Sequence, residues 1–228
     1  MKIAIIGAME EEVQLMSSRL VDKDVVEKNG FIFEVGKYLN LDIILTVSKI
    51  GKVAAGMLVG VLSTLFDVDK IINIGVAGGA PFKTKPGEVV LSTRLSYSDA
   101  DARGFNYQYG QIPGCPLYYE ADKQLLDLVD SFCYKGVILT SDVFQTDKDV
   151  VNQLIDKYFS NDEVMCFDME STAFAQSAYR INKGFLAIRA ISDVIGCDDQ
   201  LQKYENSLEM ACAKADKILC EILDKLSD

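Results

Sequence analysis

The stretch Lys2-Ile-Ala-Ile-Ile-Gly7-Ala8-Met9-Glu10-Glu11-Glu12 decides how the chain is read. A short apolar run closing on a small-residue turn predicts a buried parallel strand, because only a strand covered on both faces is apolar at every position. Ligands of open α/β sheets sit outside the carboxyl ends of such strands. Phosphate-binding proteins put glycines and free N–H groups at that place. Here three carboxylates follow the turn, which disfavours a phosphate there and offers a base. The plainer reading is an acidic first helical turn, favourable toward the helix dipole.

Working outward, apolar runs predict strands at 2–7, 31–36, 41–48, 70–75, 87–97, 134–140, 163–167 and 185–191. Helical patterns occupy 9–20, 51–66, 121–132, 147–158, 169–182 and 201–226. The segment 51–66, rich in Ala, Val, Leu and Gly, reads as a buried helix. The last helix is amphipathic through Leu208, Ala211, Ala215, Ile218, Ile222 and Leu226. Strands alternating with helices predict an α/β fold with a mixed sheet and helices outside. The irregular stretch 98–120, rich in aromatics and glycine, reads as a functional loop or an interface.

Composition narrows the function. With 228 residues, 49% of them hydrophobic, the chain supplies one large core and reads as a single domain, 1–228. A net charge of −11 argues against nucleic acid and against anionic membranes as partners. No apolar run approaches the length of a membrane span, and the first residues lack a signal peptide's layout. Six cysteines without a CxxC pair fit reduced thiols in a cytoplasm. Histidine is absent, which excludes Ser-His and Cys-His nucleophiles and His-ligated zinc. Acid–base chemistry therefore falls to carboxylates.

Four segments are read as lying just past strand ends: Met9–Glu12, Gly75-Val-Ala-Gly-Gly79, Asp168-Met-Glu170-Ser171 and Arg189-Ala-Ile-Ser-Asp193. Each has an ordinary explanation: a first-turn acid, a tight βα turn, a helix cap and a turn aspartate. The glycines at 75, 78 and 79 would allow close backbone approach or positive φ. They do not form GxGxxG, and no GK[ST] follows, so NAD and ATP are disfavoured. Acids meeting in one cleft would suit hydrolysis of an N-glycosidic bond. That reaction passes through an oxocarbenium-like sugar, with a base for water, an acid for the leaving group and a clamp for the hydroxyls.

Gly7-Ala-Met-Glu-Glu-Glu12, Gly51-Lys-Val-Ala-Ala55, Gly78-Gly79, Tyr109-Gly-Gln-Ile-Pro-Gly-Cys115, Met169-Glu170 and Arg189-Ala-Ile-Ser-Asp193 resemble the 5′-methylthioadenosine/S-adenosylhomocysteine nucleosidase family over nearly the whole chain. The resemblance implies a nucleoside phosphorylase-like fold, a mixed and partly closed β-sheet surrounded by helices, commonly as a homodimer. It implies release of adenine from methylthioadenosine and S-adenosylhomocysteine, and possible action on 5′-deoxyadenosine, in methionine salvage. No cofactor or metal is implied. By the resemblance, Glu12 activates water and Asp193 protonates adenine N7. Glu170 holds the ribose hydroxyls over Met169, and Arg189 helps hold the water. Gly78 lies on the backbone floor of the water and ribose site, and Met9 also belongs to the substrate-binding set. Phe144 stacks on adenine, whose edge the Gln145 backbone reads. Ile50 lines the 5′-thio pocket, to which a partner subunit lends Phe105 and Pro113.

Val76 stands where the family often has serine, Asp168 where glutamate is common, and Gln145 where an apolar residue is usual. Tyr204 lies near a common phenylalanine, and 195–204 aligns poorly. These departures bear on substrate preference and rate. The rivals are a nucleoside phosphorylase of the same fold, a non-catalytic nucleoside sensor and a Rossmann-type redox protein. The first would need cations beside Gly7–Glu12 and Gly75–Gly79, where the sequence has none.

Overall fold

The computed structural model describes residues 1–228. The strands are β1 Lys2–Gly7, β2 Val21–Lys28, β3 Phe31–Tyr38, β4 Leu41–Val47, β5 Lys70–Gly79, β6 Val89–Tyr97, β7 Tyr119–Glu120, β8 Tyr134–Thr140, β9 Val164–Asp168 and β10 Gly184–Val194. The helices are α1 Glu10–Arg19, α2 Lys52–Leu65, α3 Lys123–Asp127, α4 Lys148–Tyr158, α5 Ser171–Arg180 and α6 Gln200–Ser227. The strands form one mixed sheet in the order β10-β6-β8-β9-β5-β1-β4-β3-β2, with β7 beside β6. β10 also pairs with β5. That extra ladder closes β5, β9, β8, β6 and β10 into a small barrel and leaves β1, β4, β3 and β2 as an open wing. The mixed, partly closed sheet surrounded by helices is therefore the fold of this chain.

Alternation along the strands sorts the core onto two faces. Ile3, Ile5, Ile43, Ile72 and Ile188 meet Val13 and Met16 of α1 and Ala215, Leu219 and Ile222 of α6. Ala4, Ile6, Ile44 and Ala187 meet Leu58 and Leu62 of α2 and Phe174 and Ala178 of α5. An ion pair from the exposed Arg19 to the buried Asp216, 2.9 Å, ties α1 to α6.

The departures from the sequence reading have physical causes. β2 is an edge strand, almost wholly exposed, so it carries no apolar signature. α3 is five residues rather than twelve. α2 is not buried throughout: Val53 and Met57 turn outward, 76% and 54% exposed. β5 and β10 run on through residues read as turns, because each continues to pair with the other from Gly75/Arg189 to Gly79/Val194.

Candidate functional site

One edge of β5 serves two neighbours. Lys70–Asn73 pair with β1, and Gly78–Gly79 pair with β9. Where β1 and β9 part, the sheet opens, and the segments following both strands turn into the gap. A cavity of about 230 Å³ lies there, lined among others by Met9, Glu12, Val76, Gly78, Asp168, Met169, Glu170 and Asp193. Two of the four motif segments thus follow strand ends, while 75–79 and 189–193 lie inside β5 and β10.

Glu12, third residue of α1, folds back over the turn that precedes it. Its Oε2 accepts from the N–H groups of Ala8 and Met9 at 2.6 and 3.1 Å, and its Oε1 from Val76 at 3.0 Å. The last bond spans the split, because the Val76 N–H is released by both β1 and β9. Val76 makes this contact through its backbone, so the absent serine hydroxyl leaves it intact. Burial pushes the Glu12 carboxyl up, against the Arg189 charge and the three N–H donors. Gly75 is required by close approach: a Cβ there would meet Glu12 Oε1 at 2.5 Å. Gly75, Gly78 and Gly79 all lack positive φ, so the left-handed option read from the sequence does not apply.

Arg189 is 2% exposed and lies behind the cavity rather than on its surface. Its Nε donates to Asp168 Oδ2 at 2.8 Å, and its Nη2 donates to the Asn73 side-chain oxygen. Asp168 also accepts from Thr140 Oγ1 at 2.6 Å and from the N–H groups of Glu170 and Ser171 at 3.3 and 3.2 Å. Asp168 therefore caps α5 and anchors the guanidinium despite its short side chain. Glu170 does not use its side chain as a cap. Its Oε1 accepts from Gly51 N–H at 2.8 Å, a bond presented by the Gly51 backbone at φ 102°, where glycine is favoured. Burial and the neighbouring Asp168 raise the Glu170 pKa to about 7.

Asp193 is fully buried within β10. Ser192 Oγ donates to its Oδ1 and Gln200 Nε2 to its Oδ2, both at 2.7 Å. Burial pushes its pKa up against these two donors. The Gln145 carbonyl accepts from the same Gln200 Nε2 at 2.8 Å. Phe144 packs edge-on to Tyr204 at the mouth, with ring centroids 5.9 Å apart, and Ile50 lines the cavity beside them. Tyr204 Oη donates to Met9 Sδ at 3.6 Å, linking α6 to the turn after β1.

The structure thus brings together Met9, Glu12, Ile50, Gly78, Phe144, Gln145, Met169, Glu170 and Asp193, with Arg189 supporting from behind. Phe105 and Pro113 are exposed and do not line this chain's own cavity. Sequence reasoning missed Asn73, Ser192 and Gln200. Asn73 had a signal, a polar residue inside the apolar run Ile71-Ile72-Asn73-Ile74, and it is fully buried. Gln200 had none.

Fold and site define a protein of the phosphorylase superfamily, whose sequence profile matches residues 2–224. The 5′-methylthioadenosine/S-adenosylhomocysteine nucleosidase of Bacillus cytotoxicus is 34% identical over 99% of this chain and 100% of its own. The S-adenosylhomocysteine nucleosidase of Streptococcus pyogenes, solved with 5-methylthiotubericidin, superposes with a TM-score of 0.93 at 34% identity, over 99% of this chain and 97% of that one. The Colwellia psychrerythraea nucleosidase, solved with adenine, gives 0.92 at 30% identity, over 99% and 96%. The chain belongs to the 5′-methylthioadenosine/S-adenosylhomocysteine nucleosidase family.

Proposed function

We propose that the chain hydrolyses the N-glycosidic bond of 5′-methylthioadenosine and S-adenosylhomocysteine, releasing adenine and the 5-substituted ribose. The observation that carries this reading is the charge of the cavity wall. Glu12, Asp168, Glu170 and Asp193 contribute to it, and no Lys or Arg does. Arg189, behind the wall, is already ion-paired with Asp168. Phosphate entering there would find no free cation and would face the ionised Glu12 that base catalysis requires: at ~4 Å a pair of like unit charges costs about 4 kcal/mol at an effective dielectric near 20. Water carries no such penalty.

Roles follow from the remaining lone pairs. Glu12 Oε1 has one N–H donor where Oε2 has two. Its spare lone pair takes a proton from water as the water attacks the anomeric carbon. Glu170 Oε1 is held by Gly51, which leaves Oε2 for the ribose hydroxyls. Asp193, with its pKa raised, delivers a proton to the purine nitrogen as the bond breaks, so that neutral adenine departs. The base stacks on Phe144 and presents its edge to Gln145.

The test is adenine release from methylthioadenosine, S-adenosylhomocysteine and 5′-deoxyadenosine in phosphate-free buffer. Strict dependence on phosphate would make the protein a phosphorylase. Tight binding without release would make it a nucleoside sensor.

The reading extends to a cytoplasmic homodimer acting in methionine salvage. Its support is the outward apolar face of α2 together with Phe105, 81% exposed on the long loop. In that assembly Phe105 and Pro113 of each subunit complete the 5′-thio pocket of the other. Sedimentation should show a dimer, and a fully active monomer would contradict it. No helix is long and apolar enough to cross a membrane.

A further inference from the structure

Gln200 spends every polar atom it has. Nε2 donates one hydrogen to the Gln145 carbonyl at 2.8 Å and the other to Asp193 Oδ2 at 2.7 Å. Oε1 accepts from the Gly196 N–H at 2.9 Å. The orientation of the amide is chemically fixed, since a carbonyl and a carboxylate need donors and an N–H needs an acceptor. The two groups that receive the amide hydrogens are those assigned above to the purine: the acid and the backbone that reads the base edge. A 6-aminopurine offers the same pattern, one planar nitrogen with two hydrogens beside a ring nitrogen.

We propose that the Gln200 carboxamide is a built-in surrogate for the exocyclic amine of the base, and that a 6-aminopurine binds by exchanging its amine for the carboxamide at Gln145 and Asp193. The inference rests on the assignment of these two residues to the base. One amine and one carboxamide cannot occupy the same pair of acceptors, so the base must evict the side chain. Gln200 is placed for this. It is the first residue of α6, next to Asp199 at φ 53° and close after Gly196 at φ 74°, so only a short turn separates it from β10. Leu201 and Tyr204, which follow it, belong to the same cavity wall. In reverse, the returning carboxamide competes with adenine and speeds its departure.

The exchange makes a prediction about sign. Removing the competitor should tighten base binding, whereas removing a residue that holds the base should weaken it. Gln200→Ala and Gln200→Met both delete the donor, and the second keeps the length of the side chain. Calorimetry with adenine and with unsubstituted purine is the assay, alongside adenine product inhibition of turnover. Each variant should bind adenine roughly threefold to tenfold more tightly, the worth of about one net hydrogen bond. Unsubstituted purine has no amine to place on these two acceptors and should gain little. Stronger product inhibition by adenine should accompany both variants. Unchanged or weakened adenine binding in both variants, with thermal unfolding showing them folded, would overturn the proposal and make Gln200 a positioning residue. A wild-type protein that neither binds adenine nor releases it would instead overturn the nucleosidase reading itself.

Discussion

The base role of Glu12 can be tested without touching the carboxylate, through Gly75. An alanine there adds one Cβ, 2.5 Å from Glu12 Oε1, 2.9 Å from its Cδ and 3.1 Å from Arg189 Nη1. The Gly75 φ is not positive, so the backbone accepts alanine and the conflict is purely one of space. To regain an ordinary contact of 3.4 Å, the Glu12 carboxylate must retreat by about 0.9 Å. Its retreat strains the 3.0 Å bond from Val76, the contact that fixes Oε1 over the split in the sheet. Overpacking of this kind costs roughly 1–3 kcal/mol, which at this chain length lowers Tm by about 2–12 °C. Misplacing a reacting group by ~1 Å costs about 10²-fold in rate. Gly75 does not line the cavity, so ligand contacts should survive. Gly75→Ala should therefore lose about 10²-fold in kcat, measured by adenine release, while its adenine Kd stays near that of wild type. A variant with wild-type kcat would refute the claim that Glu12 acts from a fixed position. Equal loss of adenine affinity would show that the whole cavity had collapsed.

Four further outcomes follow from the same geometry. Asp193→Asn keeps the shape but cannot deliver a proton, and its rate should fall by roughly 10²–10⁴-fold in single-turnover assays; near-wild-type turnover would remove Asp193 from the chemistry. Glu12→Gln should abolish turnover yet still bind methylthioadenosine, as calorimetry would register; equal loss of binding would make Glu12 a structural residue or a clamp. Glu170, at about 7 rather than its ordinary 4.5, is neutral below that pH and ionised above it. Its grip on the ribose hydroxyls should strengthen as pH rises through about 7, raising kcat/KM, a limb that Glu170→Gln should lack. Stability runs the other way. The folded state holds this proton more tightly than the unfolded chain, so stability falls from about pH 4.5 to about 7 and levels off above, and Glu170→Gln should flatten that slope in urea titrations.

Much of the fold was legible because its signal is local. β1, β4 and β8 carry the apolar runs 3–6, 43–45 and 137–139 because both faces of each are covered there. α6 shows its apolar stripe because one side rests on the sheet. The misses share a cause in long-range pairing. β2 is solvated and is held chiefly by its ladder to β3. Gly75–Gly79 looks like a turn in sequence, yet barrel closure against β10 keeps it extended. Within the site, Glu12, Glu170 and Asp193 were legible as acids of a recognisable motif set. Arg189 was named with them, but its place behind the wall, paired to Asp168 and reaching Asn73 from the neighbouring strand, was not legible.

By itself the sequence determined the class of sheet and the family, and it restricted the chemistry to carboxylates, since a chain without histidine has few other acids and bases. Only the tertiary structure decided how these groups are poised. The parting of β1 and β9 along one edge of β5 releases the Val76 N–H to Glu12. Burial then sets the proton affinities of Glu12, Glu170 and Asp193. Gln200 became visible only through the 2.7 Å bond that carries it to an acid seven residues away. Desolvation and hydrogen bonding are properties of a packed neighbourhood, and no linear order of residues records them.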